Sequence, residues 1–176
     1  MKLYVARHGQ TLWNLEDKVC GRTDLPLTEL GQDQAQLLAQ RTKDLRIDMI
    51  ISSPMLRARQ TAAPAAELHG LEVLTDDRLI EQNYGIYEGV SRFDDGFLGN
   101  KRHFAYRYPG GESMMDVAYR VYSLLEEIKG KYTGKNVLLV CHGGVCRVIR
   151  TYFEDMTNEE YFHYSEENAA VREYTL

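Results

Sequence analysis

The sequence predicts an α/β fold of three layers, helices packed on both faces of a mostly parallel central sheet. Three observations carry this. Apolar runs of strand length alternate along the chain with segments of helical period, the pattern left when strands are joined by crossover helices. Two of those runs end in the same His-Gly step, in "VARHGQT" at residues 5–11 and "NVLLVCHGG" at residues 136–144. The 176 residues also suit a single domain, 1–176, able to bury roughly 70% of its unfolded surface in one core.

The strands are expected at residues 2–7, 48–52, 71–75, 136–141 and 169–175. Between the first two lies "LTELGQDQAQLLAQRTKDL", where Thr28 can cap a helix and Ala35, Leu38, Ala39, Thr42 and Leu45 recur at helical spacing. A second helix is expected to take Ser53 as its cap and Pro54 as its first residue, and to close at His69-Gly70. Pro64 cannot donate to the carbonyl of Gln60, so a kink or break is expected there. A third helix runs from about Glu112 to Lys129, with Met114, Ala118, Val121, Leu125 and Ile128 on one face. The fourth follows Gly143-Gly144 and carries Val145, Val148, Ile149 and Tyr152. Residues 90–111, rich in Gly, Phe and Tyr, show the least pattern and read as an insertion or lid. Internal repeats and low-complexity tracts are absent.

Composition narrows the partners. A net charge of -5 and a pI near 5.6 disfavour general affinity for nucleic acid, so any positive site must be local. No apolar stretch approaches the ~20 residues of a membrane span, and Met1-Lys2 leads straight into a strand pattern without a signal-peptide core. Cys20, Cys141 and Cys146 form neither a Cys-x-x-Cys pair nor a disulfide framework, which suits a reducing compartment. The expected location is the cytoplasm. Oligomeric state is not legible.

In a parallel α/β sheet, ligands bind at the carboxyl ends of the strands. His8 and His142 each follow an apolar strand run, and the glycines after them let backbone approach a ligand. A helix start at Gly143 would offer N–H groups to an anion. "SSPMLRARQTA" also leaves a strand and places Arg57 in the first turn of its helix. With Arg7 it supplies two guanidiniums, whose planar donor pairs match phosphate oxygens. Two histidines and two arginines at one sheet edge point to a phosphate cradle.

Taken in order, "RHGQT", "LPLTELG", "SSPMLRARQTA", "LIEQNYGIYEG", "PGGES" and "CHGG" resemble the blocks of the histidine phosphatase superfamily, also called the phosphoglycerate mutase-like family. The likeness spans residue 3 to about 150 and is weakest at 90–108 and 151–168. It implies that His8 is a nucleophile forming a phosphohistidine. Arg7, Arg57 and His142 would bind the phosphoryl oxygens, with Gln10, Thr11, Asn14 and the Gly143 N–H adding neutral donors. Cys20-Gly21 falls where the family loop touches substrate. Glu81 would protonate the departing oxygen and then take a proton from the hydrolytic water, with Glu88 a second carboxylate able to share that duty. His69, His103 and His163 lie outside the blocks and read as non-catalytic, and Trp13 reads as packing.

Within the family, the mutase pattern has an Arg-His pair after the general acid and a long insertion before the Gly-Gly-Glu block. Here the pair is Gln82-Asn83, the insertion is short and no long C-terminal extension follows. The expected activity is therefore hydrolysis of a small phosphate ester without metal or cofactor, with mutase-type transfer as the alternative. Two readings from other classes are a metal hydrolase on His8, His142 and Glu81, disfavoured by the flanking arginines, and a silent phosphoprotein-binding module, disfavoured because the whole cluster is present. Lys101, Arg102, His103 and Arg107 would favour a substrate with a second anion if 90–111 forms a lid, and Phe104 and Tyr106 would then stack on a ring. The opposing reading is a solvated loop with its aromatics in the core.

Overall fold

The computed structural model describes all of residues 1–176. Its elements follow in the order β1 (Lys2–Arg7), α1 (Leu12–Leu15), α2 (Glu29–Thr42), β2 (Met49–Ser52), α3 (Leu56–His69), β3 (Val73–Thr75), α4 (Asp95–Lys101), α5 (Met114–Lys131), β4 (Val137–Cys141), α6 (Gly143–Phe153), α7 (Asn158–His163) and β5 (Val171–Thr175). The strands form one sheet in the order β3-β2-β4-β1-β5, in which only β5, against β1, is antiparallel.

Side chains on successive strand residues point to opposite faces, and here both faces are covered. Leu3, Val5, Ile51, Val137, Leu139 and Cys141 pack against Val117, Val121, Leu125 and Ile128 of α5 and Val145, Val148 and Ile149 of α6. Tyr4, Ala6, Ile50, Leu138 and Val140 pack against Leu38 and Ala39 of α2 and Ala58, Ala62, Ala65 and Ala66 of α3. This is the three-layer α/β/α arrangement.

Several boundaries differ from the sequence-based expectation. Ser53 and Pro54 do not open α3; its N-cap is Met55, which makes no side-chain capping bond. Ser53 is instead fully buried and continues the sheet ladder through its N–H to the Val140 carbonyl, 2.9 Å. Pro64 does not break α3, which runs through to His69 and closes on the left-handed Gly70. The small alanines flanking Pro64 on the buried face let α3 seat on the sheet and α2, and that packing outweighs one lost backbone bond. The capping box of α5 is Ser113 with Asp116, so the helix begins at Met114 rather than Glu112. The 71–75 run is strand only from Val73 onward.

Residues 90–111 are not a featureless loop. Asp94 caps α4 through the Phe97 N–H, and Phe97 and Tyr108 are buried with Val19 in a separate small core flanked by Tyr84, Tyr87, Val90 and Leu98.

Candidate active site

Three adjacent strands deliver three side chains to one edge. The register pairs Arg7 with Cys141 and Ser52 with Val140. His8, His142 and Ser53 are therefore the next residues on β1, β4 and β2, and the His8 N–H still donates to the Cys141 carbonyl at 2.9 Å. The two imidazoles lie 5.1 Å apart between ring centroids, inclined by 60°.

His8 is buried, and its Nδ1 lies 2.6 Å from the Gly9 carbonyl. A carbonyl only accepts, so Nδ1 carries the proton and Nε2 keeps its lone pair. Burial, with the Arg57 and Arg7 charges adding to it, holds the His8 pKa well below its usual range, against the opposing pull of the Gly9 bond. The ring is neutral at pH 7.

His142 is fixed in the other tautomer. Arg57 Nε donates to its Nδ1 at 3.2 Å, so its proton sits on Nε2, 2.8 Å from Ser53 Oγ. Burial, then Arg57, His8 and Arg7, depresses its pKa well below the normal value. Arg57 is completely buried and also donates Nη1 to the Thr23 carbonyl and Nη2 to the Gly21 carbonyl, each at 2.8 Å. His142 Nε2 and three of the five Arg57 N–H donors are thus engaged with protein partners beside His8, and two Arg57 N–H donors remain. Ser53, Gly21 and Thr23 supply acceptors close enough to engage them.

The loop that holds Arg57 is itself held by Glu88. The Glu88 carboxylate accepts from the N–H groups of Gly21, Arg22 and Thr23 and from Thr23 Oγ, at 2.8–3.4 Å. Gly21 is required for that approach, because a Cβ there would lie 2.3 Å from Glu88 Oε1. Glu88 thereby holds the loop and, unlike Glu81, does not line the site's cavity.

Glu81 is buried, its Oε1 accepting from Gln82 N–H at 2.8 Å and its Oε2 from Gly144 N–H at 2.9 Å. The N-terminus of α6, read as an anion site, receives this carboxylate. A Cβ at position 144 would stand 2.5 Å from Glu81 Oε1, so Gly144 is what lets the carboxylate dock.

A cavity of about 270 Å³ opens over these residues. Arg7, His8, Asn14, Cys20, Glu81 and Gly143 line it; Gln10, Thr11, Gly21, Arg57 and His142 do not. Thr11 instead caps α1 in a reciprocal box with Asn14, and Gln10 Oε1 accepts from Thr28 Oγ. Burial, opposed by Arg57, pushes the Cys20 thiol up to about 11, which makes it no nucleophile at neutral pH. Arg7 donates Nη1 to the Glu166 carbonyl at 2.6 Å, while its Nε is buried without a partner. Trp13 packs against Gly89.

Sequence reasoning missed Ser53, read as a cap, and Asn168, whose Nδ2 donates to the His8 carbonyl at 2.7 Å. It also missed Tyr84, Arg92 and Arg147 on the cavity wall. Ser53 lies inside the "SSPMLRARQTA" block and was legible in principle; Asn168 lies beyond the blocks and carried no signal. Of the basic residues in 101–107, Lys101 alone reaches the cavity. Arg102 and Arg107 pair with Glu159 and Asp116. Phe104 packs edge-on to Tyr161, while Tyr106 is exposed.

Comparison with known proteins places this geometry in context. The sequence model of the histidine phosphatase superfamily (branch 1) matches residues 3–176. "Probable phosphoglycerate mutase GpmB" of Yersinia pestis (strain Pestoides F) is 38% identical over 152 residues, 81% of this chain and 70% of that one. The mycobacterial glucosyl-3-phosphoglycerate phosphatase solved with VO3 superposes with a TM-score of 0.87 at 30% identity, covering 98% of this chain and 91% of the other. "Mycobacterial hydrolase 1" gives a TM-score of 0.88 at 28% identity, covering 98% and 87%. No helix is long and apolar enough to cross a membrane.

Proposed function

The chain belongs to the histidine phosphatase superfamily, whose members here are phosphoryl-transfer enzymes, and from that premise we propose that it is a phosphomonoesterase acting on small phosphorylated metabolites. The observation that carries the reading is the neutral His8 ring, with Nδ1–H tied to the Gly9 carbonyl and Nε2 unprotonated beside the cavity. Nε2 attacks phosphorus as the P–O bond to the leaving group breaks. Glu81, held at the cavity wall by two backbone N–H groups, enters this step as the carboxylic acid and gives its proton to the leaving oxygen, becoming a carboxylate. Water then attacks the phosphohistidine, Glu81 takes its proton, and the P–N bond breaks to restore His8.

Arg7 and Gly143 on the cavity wall serve the phosphoryl oxygens, and the unpartnered Arg7 Nε is a donor available to one of them. Arg57, with two N–H donors beyond its three present bonds, and His142, by exchanging Ser53, add donors to the same oxygens, and the Arg57 charge helps keep His8 neutral. The protein relies on no metal or cofactor in this scheme. The solved relative named as a phosphatase and complexed with VO3 supports hydrolysis, as does Gln82-Asn83, where Gln82 Nε2 donates to the Glu112 carbonyl. The curated relative named as a mutase keeps transfer to a second hydroxyl as the alternative.

The test is labelling together with turnover. The parent protein should release phosphate from p-nitrophenyl phosphate without a priming bisphosphate and take up acid-labile, alkali-stable label. His8→Ala should lose both. Substantial turnover in His8→Ala would overturn the mechanism, and turnover only after priming would favour the mutase.

A further inference from the structure

Beyond the phosphoryl cradle, the cavity wall is unusually basic. Lys18, Arg92, Lys101 and Arg147 line it together with Arg7, and Glu81 is the one carboxylate among the lining residues, in a chain whose net charge is -5. Two of these cations are already matched, and Arg7 belongs to the phosphoryl cradle. Lys18 pairs with Glu16 and Arg92 with Asp17, while the lining His163 pairs with Glu159. Lys101 and Arg147 are different. Lys101 makes no ion pair or hydrogen bond, its Nζ resting 4.6 Å from the centre of the Phe162 ring. Arg147 turns Nε and Nη2 to the Tyr164 carbonyl, at 3.1 and 2.9 Å, and meets no carboxylate.

A half-buried ammonium with no counterion is costly. The cost shows in its titration: burial, with Arg147, Arg92 and Arg102 adding to it, lowers the Lys101 pKa to about 8. Such a group is tolerated where an anion arrives to neutralise it. The two residues also come from independent elements. Arg147 is one turn into α6, whose first residues meet Glu81, and Lys101 ends α4, anchored over the cavity by Phe97 and Tyr108.

We propose that Lys101 and Arg147 form a second anion subsite, so that the ester cleaved at His8 carries a further carboxylate or phosphate on its leaving group. This rests on the phosphomonoesterase reading and specifies its substrate class. Lys101 is then a specificity residue: it meets the far end of the substrate and takes no part in the bond changes.

The test is a graded series of phosphate esters with a carboxylate at increasing distance from phosphorus, each set against an uncharged ester of the same length. A parallel series replaces the carboxylate with a second phosphate, which identifies the anion. The parent protein should prefer at least one doubly anionic member by about tenfold in kcat/KM, the size expected of one charge-assisted hydrogen bond. Lys101→Met should abolish the preference while leaving p-nitrophenyl phosphate within about twofold, and Lys101→Arg should restore it. The preference should fade above about pH 8 in the parent and persist in Lys101→Arg, which stays charged. Affinities measured on His8→Gln, in which turnover is blocked, report the same ratio, so the subsite is judged even if hydrolysis is undetectable and the phosphatase reading falls alone. Equal handling of matched esters by the parent, or an equal effect of Lys101→Met on all of them, overturns the subsite.

Discussion

Two buried histidines kept neutral make folding sensitive to acid. His8 and His142 both titrate well below 6.5 in the fold, whereas an exposed imidazole in the unfolded chain titrates near 6.5. Above that pH both states are neutral and the linkage vanishes. Below it the unfolded chain takes up protons that the native state refuses, so stability is lost as pH falls, by up to ~1.4 kcal/mol per pH unit per histidine. Denaturant titrations at pH 7, 6 and 5 should show this decline, and His142→Gln should flatten it; an undiminished slope in the variant would mean that His142 is not kept neutral. Glu81 is tested by the leaving group. If it donates the proton, Glu81→Gln should slow the single-turnover burst at least a hundredfold for an alkyl phosphate and only mildly for p-nitrophenyl phosphate, whose phenolate departs almost unaided. Equal losses for both esters would remove that role.

At the level of elements, the glycine-flanked histidines, the helix periods and the strand runs were legible in the sequence because each rests on local spacing. What was not legible depended on contacts between distant segments. Pro64 signalled a break that packing against the sheet and α2 overrides. Ser53 looked like a cap because a Ser-Pro step has that local chemistry, yet the ladder to β4 carries it to His142. Residues 90–111 lacked a readable period because α4 has only seven residues and its apolar contacts lie in Val19 and Tyr84. Glu88 was read through its nearness in sequence to Glu81, whereas its partners lie more than sixty residues earlier in the chain. Its removal should therefore act through the 21–23 loop. Glu88→Ala should cost about 2 kcal/mol of stability and lower kcat/KM to the same degree for alkyl and nitrophenyl esters, since it supplies Arg57 with its carbonyl partners and transfers no proton. A leaving-group dependence like that of Glu81→Gln would contradict this.

Across the whole molecule, the site lies at the sheet edge between the two cores. His8 leaves β1, His142 passes into α6 on one face, and Arg57 lies in α3 on the other. A ligand held by Arg7 and His8 at the end of β1, Gly143 of α6 and Glu81 binds only the assembled fold, so its binding free energy adds to stability by mass action. Orthovanadate, which takes the five-coordinate geometry of the transferring phosphoryl group, is the ligand of choice. At a hundred times its dissociation constant it should contribute about 2.7 kcal/mol, which for a chain of 176 residues raises Tm by roughly 5 to 11 °C. Inorganic sulfate at equal concentration should do less, because it is tetrahedral and leaves the attacking nitrogen unengaged. His8→Gln retains Arg7 and the cavity but loses the apical nitrogen, so it should respond to vanadate no more than to sulfate. A full vanadate shift in that variant would place the anion away from His8, and with it the site of phosphoryl transfer.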